Sequence, residues 1–319
     1  MNRLNACLLA ALAVALPLSL LAGRTWIAPW SDPVPNAAII LAELRLPRGI
    51  LALVIGAGLG GAGAAMQGYL RNPLADPGLF GIAPGAAFGA VMALFLGIAA
   101  VPVTLPAFAL AGAAGAMALL AVIAGRTGGI ALFTLAGLMI ASLAGTLTSL
   151  AISLSPNPFA MSEIVTWLMG ALTDRSWADV WIAAPLTLAG LVVLYLCGPS
   201  LDAMMLGEEA ALSLGVEARR LQWAIVAGIG LTIGAGVAVA GIVGFVGLMV
   251  PHLVRPFTDR RPSSLLVPGA LAGALLVLLA DTVCRVLPMA GELRLGIALS
   301  LLGAPFFLGL LLRLRRGLA

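Results

Sequence analysis

A chain of 319 residues that is 62% hydrophobic and only 9% charged reads as a polytopic, all-α membrane protein and excludes a soluble globular domain. It contains no lysine, so it lacks the side chain that a P-loop places on the β- and γ-phosphates, and neither ATP hydrolysis nor Schiff-base chemistry belongs to it. Three scattered cysteines and one histidine form no metal-ligand pattern, and a net charge of +4 carried by loop arginines is no nucleic-acid footprint.

The apolar run over 4–23 behind Arg3 exceeds a signal-peptide core of roughly 7–15 residues, which predicts an uncleaved first span. Residues 24–48, with Pro, Trp and Arg, are expected outside the bilayer. Further spans are predicted near 49–69, 78–98, 101–124, 130–152, 178–197, 222–243, 265–283 and 295–312. The piece 245–256 is too short to cross unaided and is expected as a short tenth helix reaching partway across. One transmembrane domain thus covers 1–319, and about ten segments put both termini on one side. Arg3, Arg71, Arg126, Arg219, Arg220, Arg255, Arg260, Arg261, Arg313, Arg315 and Arg316 lie on that side; Arg24, Arg45, Arg48, Arg175, Arg285 and Arg294 lie opposite. The larger set marks the cytoplasm.

The predicted helix 130–152 carries Ser142, Thr146 and Ser149, with Ser153 beyond, at steps that fall on one face. Such a stripe either lines a water-accessible path or bonds the carbonyls one turn back. Small residues here and elsewhere let membrane helices approach closely.

The polar island 201–220 cannot sit in lipid. Gly207 precedes Glu208 and Glu209, which suit the positive end of a helix; Ala210, Ala211, Leu212 and Leu214 follow, and Gly215 stands as a C-terminal stop. A second short helix is expected to start near Val216 and run through Arg219 into the next span. Exposed Met204, Met205, Leu212 and Leu214 would make this a docking surface, the alternative being an ordinary solvated loop.

Ile55–Gly63 and Ile233–Gly241 echo one another: both begin Ile-Gly-Ala-Gly and end Ala-Gly, and a proline follows each, Pro73 and Pro251. The two helices run in opposite directions in this topology, the signature of an inverted repeat. Shared Gly/Ala composition is the competing explanation.

Three further strings carry a resemblance. Leu44-Arg45-Leu46-Pro47-Arg48, Gln67 and Arg71-Asn72-Pro73-Leu74-Ala75-Asp76-Pro77-Gly78-Leu79-Phe80-Gly81 form the first. Gly244 through Arg255 form the second, and Asp281, Arg285 and Gly303-Ala304-Pro305-Phe306-Phe307 the third. The chain resembles the FecCD family, permease subunits of bacterial ABC importers for ferric siderophores, haem and vitamin B12. Arg294 departs from it, standing where the family usually has proline.

The resemblance implies a homodimer in the bacterial inner membrane with no cofactor. Its path would be lined by the fifth and tenth helices, here with Ser142, Thr146, Ser149 and Ser300. ATPase subunits would dock on Leu206, Gly207, Glu208, Glu209, Ala210, Leu214 and Gly215. A periplasmic or lipoprotein substrate-binding protein would meet Arg45, Arg48 and Arg285 at an exposed, charge-steered contact. The cytoplasmic gate would fall at Thr127, Gly128 and Gly129. His252 is expected to be structural, and Asp76, Asp281 and Glu163 to be helix caps or salt-bridge partners. The acids cluster at segment ends, with no carboxylate or histidine mid-span, which favours an ATP-driven importer over a gradient-coupled carrier. Ferric siderophore or haem is the expected cargo, cobalamin the alternative.

Overall fold

A computed structural model describes residues 3–27, 34–124, 129–289 and 291–316, excepting the side chains of Leu79 and 313–316. The described residues form helices and no strands. They are α1 (Arg3–Leu21), α2 (Ala37–Tyr69), α3 (Ile82–Phe95), α4 (Thr104–Ala124), α5 (Ile130–Ser153), α6 (Pro158–Leu168), α7 (Trp177–Leu196), α8 (Gly198–Met204), α9 (Glu208–Ser213), α10 (Ala218–Ala240), α11 (Val246–Val254), α12 (Pro262–Val286) and α13 (Leu295–Arg316). Eight are long and apolar enough to cross a membrane. Two shorter apolar helices, α3 and the nine-residue α11, complete the expected ten. The helices α6 and α8 lay within connections in the sequence reading, and the expected outer segment 24–48 is helical from Ala37 onward.

Helices α2 and α10, the pair that share the sequence echo, are the most enclosed of the eight long helices. Packing recurs around them: α2 lies on α11 and α12, while α10 lies on α3 and α4. Glycine makes the closest of these approaches possible. A methyl group at Gly56 or Gly60 would run into the backbone of Gly273 or Gly269 on α12, and one at Gly63 into Gly247 on α11. On the other side Gly85 and Gly89 of α3 meet α4 around Gly112. Helices in lipid gain no hydrophobic drive toward one another, so such contact supplies the dispersion energy that holds them.

The short helix α11 is held by a buried amide. Pro251 has no N–H for the Gly247 carbonyl four residues before it. The Gln67 side chain of α2 donates instead toward the carbonyls of Gly247 (3.5 Å) and Leu248 (3.3 Å). Arg255, just past α11, donates to the other end of the same amide at 2.7 Å. Gln67 thereby fixes a helix too short to be held by its own ladder in the bilayer.

Candidate functional site

The polar island folds as two short helices at one end of the bundle. Helix α9 starts after Gly207, whose φ is +105°, and carries Glu208 and Glu209 in its first turn. It ends in a Schellman motif: Gly215, at φ +85°, donates to the Leu212 carbonyl, and Val216 donates to Ala211. The helix expected to start near Val216 and run through Arg219 into the next span is the first turn of α10, which begins at Ala218 directly after this cap. Met205, Leu206, Leu212 and Leu214 are exposed, whereas Met204, also expected at the surface, is buried in the core. Asp202 of α8 accepts from the Ser263 backbone N–H (2.9 Å) and hydroxyl (2.5 Å), which ties this end to the first turn of α12. The two helices are therefore a fixed surface, with an apolar edge and an acidic first turn.

At the opposite end the structure corrects the sequence reading. Arg45, Arg48 and Arg285, expected as exposed contacts, are all buried. Their guanidinium groups are bonded within the chain. Arg45 donates to the carbonyls of Leu20, Leu21 and Thr25, closing the connection between α1 and α2. Arg285 donates to the Ser19 carbonyl and hydroxyl of α1. Arg48 pairs with Asp281 and with Glu292, both at 2.9 Å, and Thr173 donates to Glu292 at 3.1 Å. Partial burial pushes the Glu292 acid up, but the Arg48 hydrogen bond and charge outweigh it and hold the carboxyl below the ordinary glutamate range. Residues 24–48 and 281–292 carry no signal of these long-range pairings, since one sequence does not say which charges meet. Glu292 and Thr173 were missed for that reason.

Helix α5 packs on α3 and α4, and α13 packs on α11 and α12. Each leaves much of its surface outside the bundle. Ser142, Thr146, Ser149 and Ser153 all lie on the exposed side of α5. Thr146 and Ser149 also bond the carbonyls of Ser142 and Gly145 one turn back, the second of the two alternatives for this stripe. Ser300 of α13 is half-buried and donates to the Gly296 carbonyl. Of the expected gate, Thr127 and Gly128 lie outside the described residues; Gly129 is extended and immediately precedes α5.

The remaining polar groups take the expected structural roles, with one difference. Asp281 is an ion-pair partner, Asp76 caps a 3-10 turn by accepting from Gly78 N–H at 2.6 Å, and the His252 ring stands edge-on to Phe306 of α13. Glu163 is exposed on α6 and takes no part in an ion pair among the described residues. Asp76 also lines an enclosed cavity of about 130 Å³ beside Ile55 and Leu59, near the middle of α2. It therefore lies at mid-span depth, where the sequence placed no carboxylate. The segment 70–81 folds back against α2, and linear position along the chain hides that.

Among the described residues no group of His, Cys, Asp or Glu could hold a metal ion. A bundle of apolar helices with one built polar end and two flank helices that leave much of their surface uncovered has the build of a membrane transport subunit. The profile of the FecCD transport family matches residues 9–313. The vitamin B12 import system permease protein BtuC of Vibrio vulnificus (strain CMCP6) is 38% identical over 319 residues, covering 98% of this chain and 95% of that one. Its counterpart in Escherichia coli O9:H4 (strain HS) is 37% identical over 316 residues, covering 97% and 95%. A solved structure described as an inward-facing conformation of a metal-chelate type ABC transporter superposes with a TM-score of 0.90 at 30% identity, covering 97% of this chain and 98% of that one. The chain belongs to the FecCD transport family. It is the permease subunit of an ABC importer, and ATP hydrolysis falls to a separate ATPase.

Proposed function

We propose that the cargo is vitamin B12. The observation that carries this is identity of 37–38% along nearly the whole chain to permeases named for vitamin B12 import. It favours cobalamin over the ferric siderophore or haem expected from family frequency. The likeness to a metal-chelate type transporter supports an iron chelate as the second reading.

In this reading two copies of the chain pair in the bacterial inner membrane with their termini in the cytoplasm. The ATPase docks on Leu206, Gly207, Glu208, Glu209, Ala210, Leu214 and Gly215, a reading supported by the fixed geometry and exposed leucines of α9. The path runs along α5 and α13, past Ser142, Thr146, Ser149 and Ser300, to a gate at Thr127, Gly128 and Gly129. A soluble binding protein docks at the end opposite α8 and α9. Arg45, Arg48 and Arg285 shape that face from beneath, since all three are buried and donate to groups inside the chain.

The test is reconstitution of the permease with its ATPase and binding protein in liposomes. ATP-dependent uptake of labelled cobalamin is expected. Uptake of a ferric siderophore or haem with cobalamin ignored would overturn the assignment and favour the second reading.

A further inference from the structure

A pocket of about 510 Å³ opens at the end opposite α8 and α9, between α6, the 171–175 loop and the residue that precedes α13. Trp167, Thr173, Arg175 and Arg294 are half-buried on its walls, while Glu163 and Asp174 are exposed at its edge. Among the described residues, two buried N–H groups of this wall, Trp167 Nε1 and Arg175 Nε, have no partner. Among the described residues the Arg294 guanidinium makes neither an ion pair nor a hydrogen bond, and Arg175 reaches Asp179 only at 3.9 Å. An unmatched buried donor is costly, and two in one wall are unusual. All the unmet groups are donors, and two belong to guanidinium forks, which suit carboxylate or phosphate geometry. The acidic side chains stand in solvent, where screening weakens them. Nothing in the permease reading uses these residues, and Arg294 stands where the family resemblance carries proline.

The pocket also adjoins the path. Ala171 N–H donates to the Ala240 carbonyl at the end of α10, and Gly296 N–H in the first turn of α13 donates to Gly170. Thr173 on the wall donates to Glu292, the partner of Arg48. A group bound here would sit against the start of a path-facing helix.

We propose that this pocket is an anion subsite, in which the guanidinium groups of Arg294 and Arg175 receive a carboxylate or phosphate presented from outside the membrane. The import reading sets that end to the outside, and the proposal rests on it there. The anionic group comes either from an acidic side chain of the docking binding protein or from the cargo it carries.

The experiment uses the permease–ATPase complex in lipid nanodiscs with its binding protein, empty and loaded, and the variants Arg294→Gln, Arg294→Pro and Arg175→Gln. Unchanged thermal midpoints and basal ATPase activity verify folding. Loss of one charge-assisted contact raises the dissociation constant of docking about tenfold or more. In the wild type, inorganic phosphate at constant ionic strength weakens docking relative to chloride, and in Arg294→Gln this difference disappears. If the anion belongs to the binding protein, the empty protein shows the loss. If it belongs to the cargo, the empty protein docks normally and only the loaded one loses affinity. Docking is read directly and needs no knowledge of the cargo, so a failed cobalamin assay leaves this result standing. Docking of both forms within twofold of wild type in all three variants, with phosphate and chloride equivalent, would overturn the subsite.

Discussion

Arg48 and Asp281 form a buried ion pair across 233 residues of chain, with Nε at 3.1 and 3.0 Å from the two carboxylate oxygens and Nη2 at 2.9 Å from one of them. It joins the first third of α2 to the last turns of α12, and Arg48 extends it to Glu292. Removing one partner of a buried pair costs about 3–5 kcal/mol, because the other is left uncompensated. Arg48→Ala strands two acids, whereas Asp281→Ala leaves Arg48 with Glu292. The arginine variant should therefore show the larger fall in thermal midpoint in detergent. Equal or negligible losses would mean that water reaches this network.

The same network predicts an acid limb. The folded-state carboxyl of Glu292 is held below its ordinary value, so its contribution is fully present above the unfolded glutamate range. It is lost as pH falls through the depressed folded value. The thermal midpoint of the wild type should decline on acidification below that ordinary range, and Glu292→Gln should flatten this part of the profile while lowering the plateau at neutral pH. A profile that stays parallel to wild type would exclude Glu292 as its source.

The proposed coupling surface depends on one backbone conformation. Gly215 adopts φ +85° to close the cap of α9, and a side chain there meets no neighbour, only the left-handed backbone. Gly215→Val should strain the cap by about 1–2 kcal/mol or more and loosen the exposed Leu212–Leu214 edge without unfolding the bundle. Glu208→Arg with Glu209→Arg opposes the helix dipole by roughly 0.3–1 kcal/mol per site. Both variants should fold and copurify less of the ATPase. Undiminished copurification from either would remove this surface from the contact.

The periodic and compositional features of this fold were legible in the sequence. Eight long apolar helices, the short α11, and Gly207 and Gly215 bracketing α9 all follow from local rules that need no partner. What was not legible depends on which distant groups meet. Arg48 read as an outward charge because it lies at a segment end, yet packing of α2 on α12 encloses it with Asp281, and Glu292 drew no reading at all. Asp76 read as a loop acid because nothing local says that residues 70–81 fold back beside Leu59. Met204 read as exposed because α8 was not foreseen.

Close packing at glycine predicts a separate failure. Gly60 of α2 meets the Gly269 carbonyl of α12 with no room for a methyl group, and Gly56 meets Gly273 one turn away. Gly60→Ala must push the two helices apart, and overpacking of this kind costs about 1–3 kcal/mol. Gly145 on α5 has open space around it. Gly145→Ala should be neutral or slightly stabilising by helix propensity. Similar midpoints for the two variants would show that α2 and α12 can separate freely.

The last prediction concerns the path along α5. Ser142, Thr146, Ser149 and Ser153 form one edge of the helix, and the buried residues Phe133, Ile140, Ala144 and Ala151 lie about half a turn away. Met139, Leu143 and Leu150, all exposed, form an edge about a quarter turn from the hydroxyls. The bundle therefore presents two different uncovered edges, one polar and one greasy, and only the polar one suits water. The native cysteines are one exposed residue, Cys7, and two buried ones, Cys197 and Cys284. In a background lacking all three, cysteine at position 142, 146 or 149 should react quickly with a small water-soluble thiol reagent. Cysteine in place of Leu143 or Leu150 should react slowly, because lipid or a second copy covers that edge. In the assembled importer, nucleotide bound to the ATPase should change the rates at the hydroxyl edge and leave those at the leucine edge alone. Faster labelling at the leucine edge, or rates at Ser142, Thr146 and Ser149 that ignore nucleotide, would place the path elsewhere.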